Sequence, residues 1–167
     1  MGRGWAVGVC GVALIGVLAG CGRVRPDTDP GGPGSTSTAA APVLTGATLS
    51  FTTLTDGKDA NSAVAAQLLT AGSELGAEVR STGTAFTDNT TSPALAMALS
   101  GRLTSAQARD TQLRLRLVPD GRDTWTFDTR LVLSFTDGTR QTYRWTGLRL
   151  DETMPERTLA VAGALVP

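Results

Sequence analysis

Apolar and polar residues alternate most regularly between Thr111 and Leu150. Three runs carry the alternation, TQLRLRLVP, TWTFDTRLVLSF and TRQTYRWTGLRL, separated by PDGRD and TDG. Neighbouring side chains in a strand point to opposite faces, so the pattern predicts three antiparallel strands in a meander. In the middle run Trp125, Phe127, Leu131, Leu133 and Phe135 share one face. A two-residue Asp137-Gly138 loop would set Arg144 opposite Leu131 and bring arginines onto that face. A three-residue loop, Thr136-Asp137-Gly138, pairs Leu131 with Tyr143 and Thr129 with Trp145 and gathers the aromatic rings. One residue of slip reverses every side chain, so the three-residue hairpin with a left-handed Gly138 is the expected form. In this register Gly147 falls opposite Phe127, Arg130 opposite Arg144, and Leu113, Leu115 and Leu117 join the apolar face. Arg114, Arg116, Arg130, Arg140 and Arg144 then point outward together, with Asp128 expected opposite Arg114.

Weaker alternation precedes the meander. Ala47, Leu49 and Phe51 predict a first strand, Asp56-Gly57-Lys58-Asp59 a turn, and Leu75, Ala77 and Val79 a half-exposed strand. Ser62 to Ala71 fits either helix or strand; its length and its neighbours favour strand. Thr84 to Thr87 reads as a short strand, Leu95, Met97 and Leu99 as another, and Ser105 to Asp110 as one helical turn capped by Thr104. After the meander Pro155 marks a turn, and Thr158 to Ala162 predicts a last edge strand. About eight short strands with turn signals between them indicate an all-β domain over residues 43–167, an antiparallel β-sandwich.

The N-terminus follows a different rule. Arg3 precedes an apolar run from Trp5 to Leu18, too short to span a bilayer as a mature anchor. Leu18-Ala19-Gly20-Cys21 follows, and it resembles the lipobox of bacterial lipoproteins residue for residue. The resemblance implies a signal peptide over residues 1–20, cleavage before Cys21, a diacylglyceryl group on its sulfur, and a place on the extracytoplasmic face of the cell membrane. Two acyl chains meet the requirement for stable anchoring. The other cysteine, Cys10, lies in the segment removed, so the mature domain is expected to have no disulfide and to rely on its core. Residues 22–42, GRVRPDTDPGGPGSTSTAAAP, have no large apolar residue beyond Val24 and no periodicity, and are expected to form a disordered tether. Its flexible reach is roughly 25 Å.

Composition then narrows the chemistry. The chain of 167 residues is formally neutral and has no histidine, so neither nucleic acid nor any strongly charged partner is indicated by bulk charge. A Ser-His-Asp or Cys-His nucleophile is not available. Paired carboxylates remain, but the acids fall mostly in turns, where Asp sits for backbone reasons. No enzymatic activity is expected. Lysine occurs once among 15 basic residues, which reads as an arginine-rich codon supply before any functional choice.

The run Pro119-Asp120-Gly121-Arg122-Asp123-Thr124-Trp125-Thr126-Phe127-Asp128, with Phe135-Thr136-Asp137-Gly138-Thr139, resembles a segment of uncharacterised secreted bacterial proteins that also carry an acidic turn like Asp56 to Asp59. It is more distantly similar to PLAT domains, eight-stranded sandwiches in which a Trp opens a late strand. The resemblance implies a sandwich fold and, by analogy with PLAT domains, contact with lipid or protein.

Three surfaces are candidates for binding. Residues 111–150 hold seven arginines and four acids, whereas residues 43–110 hold four basic and six acidic residues, so the domain is polar in charge. The outward set Arg114, Arg116, Arg130, Arg140 and Arg144 would suit phosphate-rich wall polymers, lipid headgroups or an acidic partner, against the plainer reading of a solvated face. Asp56 and Asp59 in one loop and Asp120 and Asp123 in another would offer oxygens to calcium if the loops met; ordinary Asp turns are the plainer alternative. Trp125, Tyr143 and Trp145 would stack on sugar rings if exposed, but parity assigns them to the core. The expected protein is a lipid-anchored, non-catalytic binding module, or alternatively an assembly subunit docking on another envelope protein.

Overall fold

The computed structural model describes residues 40–72 and 74–166. The signal sequence, Cys21 and nearly all of the tether lie outside the described residues. Nine strands and one helical turn follow in order: β1 Leu44–Thr53, β2 Ala63–Leu69, β3 Leu75–Ser81, β4 Leu95–Leu99, α1 Ser105–Arg109, β5 Gln112–Val118, β6 Thr124–Phe135, β7 Arg140–Asp151, β8 Glu156–Ala160 and β9 Leu165–Val166. All pairings are antiparallel. The all-β class is therefore as expected, and Ser62 to Ala71 supplies a strand, β2. Thr84 to Thr87 does not form a strand; Phe86 makes only an isolated bridge to Lys58. The expected edge strand near Thr158 begins earlier, at Glu156, and β9 follows it.

The strands form one sheet in the order β8-β5-β2-β3-β4-β1-β6-β7-β9. A sandwich of two sheets would have a break between them. Here β4 pairs with β3 through Leu99 and Ala98 and with β1 through Leu95 to Met97, so the ladder is continuous. The outermost strands, β8 and β9, are consecutive in the chain and separated only by Val161 to Ala164. Laid flat, nine strands would hold their edges about 38 Å apart, whereas this link reaches at most about 18 Å. The sheet must therefore curl until its edges approach. The Trp145 indole crosses the gap and donates Nε1–H to the Ala160 carbonyl at 3.3 Å.

Alternation puts the apolar set inside the curl. Leu49, Leu68, Leu113, Leu115, Leu131 and Leu133 are buried completely. Phe51, Phe86, Trp125 and Phe127 form an aromatic cluster with centroid separations of 3.8–5.7 Å. The Trp125 Nε1–H is satisfied by Thr53 Oγ1 at 3.0 Å, which removes the penalty of burying it. The helical turn α1 plugs an end of the core with Ala108; Thr104 caps it, with its hydroxyl accepting from Gln107 N and Gln107 Oε1 accepting from Thr104 N.

The meander expected from Thr111 to Leu150 is only half present. β6 and β7 pair as parity required: Leu131 lies opposite Tyr143, Thr129 opposite Trp145 and Arg130 opposite Arg144. Thr136-Asp137-Gly138 closes the hairpin, with Gly138 at φ +80°. β5 does not join them; it pairs with β2 and β8. Leu113, Leu115 and Leu117 still face inward, because any strand of this sheet obeys the same inside and outside alternation. Gly147 also departs from the expected register. A bulge shifts the register between Phe127 and Thr129, so Leu148, not Gly147, lies opposite Phe127. The apolar positions of β7 change from odd (Tyr143, Trp145) to even (Leu148, Leu150), and one extra residue is what keeps both sets inside. Gly147 absorbs the bulge at φ +63°.

Candidate functional site

The outer faces of β1, β6 and β7 meet in an open groove of about 400 Å³. Even-numbered residues of each strand supply its floor. Ser50, Arg130 and Arg144 form one row across the three strands, and Thr52 and Asp128 stand beside each other in the next. Thr142 continues the surface on the other side, opposite Val166 of β9, which forms one rim. Thr91 forms the other; its hydroxyl shares a 3.0 Å hydrogen bond with Thr52 Oγ1.

Two guanidinium groups directly opposite each other on neighbouring strands repel. Asp128 relieves only one of them. Its Oδ2 lies 2.9 Å from Arg144 Nη2, while its Oδ1 accepts the Gly147 N–H at 3.0 Å. The bulge glycine thus fixes the carboxylate that fixes Arg144. Arg130 is exposed and, among the described residues, has no carboxylate within ion-pairing distance. The groove therefore presents one uncompensated positive charge within a set of hydroxyls.

The five outward arginines do not share one surface. Arg130 and Arg144 line the groove, and Arg140 stands on the same face nearer the hairpin, opposite Ser134. Arg114 and Arg116 lie on β5, five strands away in the sheet, in a smaller recess of about 190 Å³ with Gln67 and Glu156. Arg114 donates through Nε and Nη2 to Gln67 Oε1, and Gln67 passes a 3.4 Å bond to Glu78. Arg116 lies opposite Glu156. The expected pairing of Asp128 with Arg114 is accordingly wrong, because β5 and β6 are not neighbours. The hydroxyls of Ser50, Thr52, Thr91 and Thr142 went unnoticed in the sequence. Their parity was readable, but which strand borders β6 was not.

The two acidic loops do meet. Asp59 N–H donates to Asp123 Oδ2 at 3.3 Å, and Asn61 Nδ2 donates to Asp120 Oδ2 at 3.1 Å. Asp56 contributes its backbone carbonyl to Thr126 N–H and takes a left-handed φ of 56°. Among the described residues no three acids, cysteines or histidines converge as metal ligands. The cation at this junction is Lys58, the single lysine of the chain and 1% exposed. Its Nζ donates to the carbonyls of Asp59 at 2.7 Å and Ser62 at 2.6 Å, and lies 5.1 Å from the centre of the Phe86 ring. Burial pushes its pKa down from the ordinary 10.5, and the charges of Asp123 and Asp59 oppose that shift. The aromatic residues considered for sugar stacking are turned inward: Trp125 and Tyr143 are buried and Trp145 half-buried.

No protein-family model matches the chain, and no curated protein is significantly similar to it.

Proposed function

We propose that this chain is a non-catalytic binding module of the cell envelope, held at the extracytoplasmic face of the membrane by an acylated Cys21, and that it takes an anionic group of an envelope component in the groove at Arg130 and Arg144. The opposed arginine pair carries the reading. Folding gains nothing from setting Arg130 against Arg144, yet both occupy an open recess where an anion would relieve the repulsion. Guanidinium forks suit oxyanions, and the surrounding hydroxyls offer neutral hydrogen bonds. In outline the domain works as a sandwich does, with a closed core and ligands on an outer sheet face. Binding of the acylated protein to anionic envelope polymers should fall with salt and fall again in an Arg130→Ala, Arg144→Ala double variant. Unchanged binding in that variant would remove the groove from consideration. Anchoring is tested separately: Cys21→Ala should move the protein from the membrane to the soluble extracytoplasmic fraction.

A second reading, docking on another envelope protein, is favoured by one feature. β9 covers only Thr142 and Tyr143 of the twelve-residue β7, and its Leu165 and Val166 are exposed. Cross-linking at Leu165 in intact cells should capture a partner if this edge docks; recovery of the lipoprotein alone would count against it.

A further inference from the structure

The arrangement within the groove carries the identity of the anion further. We infer that the groove selects a monoanionic phosphodiester set within a polyol chain, a soluble glycerol-phosphate type of polymer segment. This rests on the binding role proposed above for the same groove.

Charge comes first. Arg130, Arg144 and Asp128 leave a single net positive charge. A dianionic phosphomonoester would place its second charge beside Asp128, whose side chain is only 13% exposed and is already committed to Arg144 and the Gly147 N–H. A phosphodiester carries one charge and avoids that conflict. Geometry separates it from a carboxylate. One guanidinium fork satisfies both oxygens of a planar carboxylate. Here the donors come from two strands roughly 5 Å apart, and the diverging non-bridging oxygens of a tetrahedral phosphodiester match donors on both sides. The remaining lining then has a use. Ser50, Thr52, Thr91 and Thr142 surround the arginines with groups that both donate and accept, the complement of polyol hydroxyls on either side of the phosphate. The volume of about 400 Å³ is that of a small-ligand site.

A bilayer surface is the poorer match. Surface attraction to anionic lipid takes clusters of about 4–8 basic residues, whereas this face carries three arginines, Arg130, Arg140 and Arg144, against Asp128, and the groove itself a net single charge.

The test is calorimetric titration of the full-length acylated protein, in neutral detergent, with glycerophosphoglycerol, glycerol 1-phosphate, glucuronate and sulfate. Glycerophosphoglycerol is expected to bind at least about fivefold more tightly than the other three, and Arg130→Gln to weaken it by about tenfold or more. Asp128→Asn keeps an oxygen for the Gly147 N–H but raises the net charge, so it should turn the preference toward glycerol 1-phosphate. Thermal melts of both variants confirm the fold. Equal or tighter binding of the monoester or glucuronate by the unaltered protein overturns the inference while leaving an anion groove intact. So does binding to phosphatidylglycerol vesicles without competition from glycerophosphoglycerol. Absence of binding by all four probes, or binding that Arg130→Gln leaves unaffected, overturns the groove itself.

Discussion

Replacing Lys58 by methionine keeps the length and the apolar stem and deletes only the ammonium. The buried carbonyl of Ser62 would lose a donor at 2.6 Å, and the partly exposed carbonyl of Asp59, which water can reach, one at 2.7 Å. A buried acceptor left unpaired costs about 1–3 kcal/mol, and loss of the contact with Phe86 adds about 0.5–1 kcal/mol. Asp123, 4% exposed, would also lose the positive charge nearby. Against these stands the desolvation of the ammonium, which the variant no longer suffers, and which commonly takes back a large part of such a sum. The expected net loss is about 1–2 kcal/mol, or a fall of roughly 5 °C in melting temperature for a domain of this size. Lys58→Arg should also destabilise, because a planar fork is bulkier than the pocket between two carbonyls and a ring, and overpacking costs about 1–3 kcal/mol. That would explain why a chain otherwise built with arginine keeps a lysine here. The pH dependence has a definite sign. Below its ordinary pKa of 10.5 the unfolded lysine holds its proton more firmly than the buried one. Stability of the natural protein relative to Lys58→Met should therefore rise as pH climbs from the lowered folded value toward 10.5. Denaturant unfolding of the pair across pH 7 to 10.5 measures both quantities. A methionine variant as stable as the natural protein would refute the reasoning.

Three further outcomes are expected. Gly147→Ala meets no neighbouring atom within 4 Å, so its cost is the left-handed backbone alone, about 1–2 kcal/mol in chemical denaturation. A neutral result would mean that the bulge relaxes. Asp151 is held down to about 2 by the Thr153 hydroxyl, the backbone N–H groups of Met154 and Thr153, and Arg149. Its contribution is present above the ordinary 3.8 and is lost as pH falls through about 2, so the melting temperatures of the natural protein and Asp151→Asn should converge over that window. Arg130→Ala should leave stability unchanged or raise it by up to about 1 kcal/mol, since it removes a like-charge pair; a loss above about 1 kcal/mol would show that Arg130 serves the fold.

How far the sequence could be read depended on the range of the interaction. The β6–β7 hairpin was legible because a short loop and parity together leave one register that buries both Leu131 and Tyr143. The Thr104 cap was legible because it acts within four residues. The neighbour of β5 was not, because Leu113, Leu115 and Leu117 face inward beside any strand of a curled sheet. With that neighbour went the division of the arginine set. The bulge left a trace that was missed: Leu148 and Leu150 fall out of phase with Tyr143 and Trp145, and a glycine stands where the phase changes. Lys58 left none, since a lysine between two aspartates in a turn has the composition of an exposed loop, and only carbonyls from Asp59 and Ser62 make its burial tolerable.

The succession of β8 and β9 at opposite borders of the sheet makes the last few residues a clasp. Cleavage in the turn after Asp151 would unfasten both borders together and bare two rows of unpaired backbone amides. The foreseeable response to such a nick is fibrous or dimeric self-pairing of nicked molecules, not a simple loosening of one end.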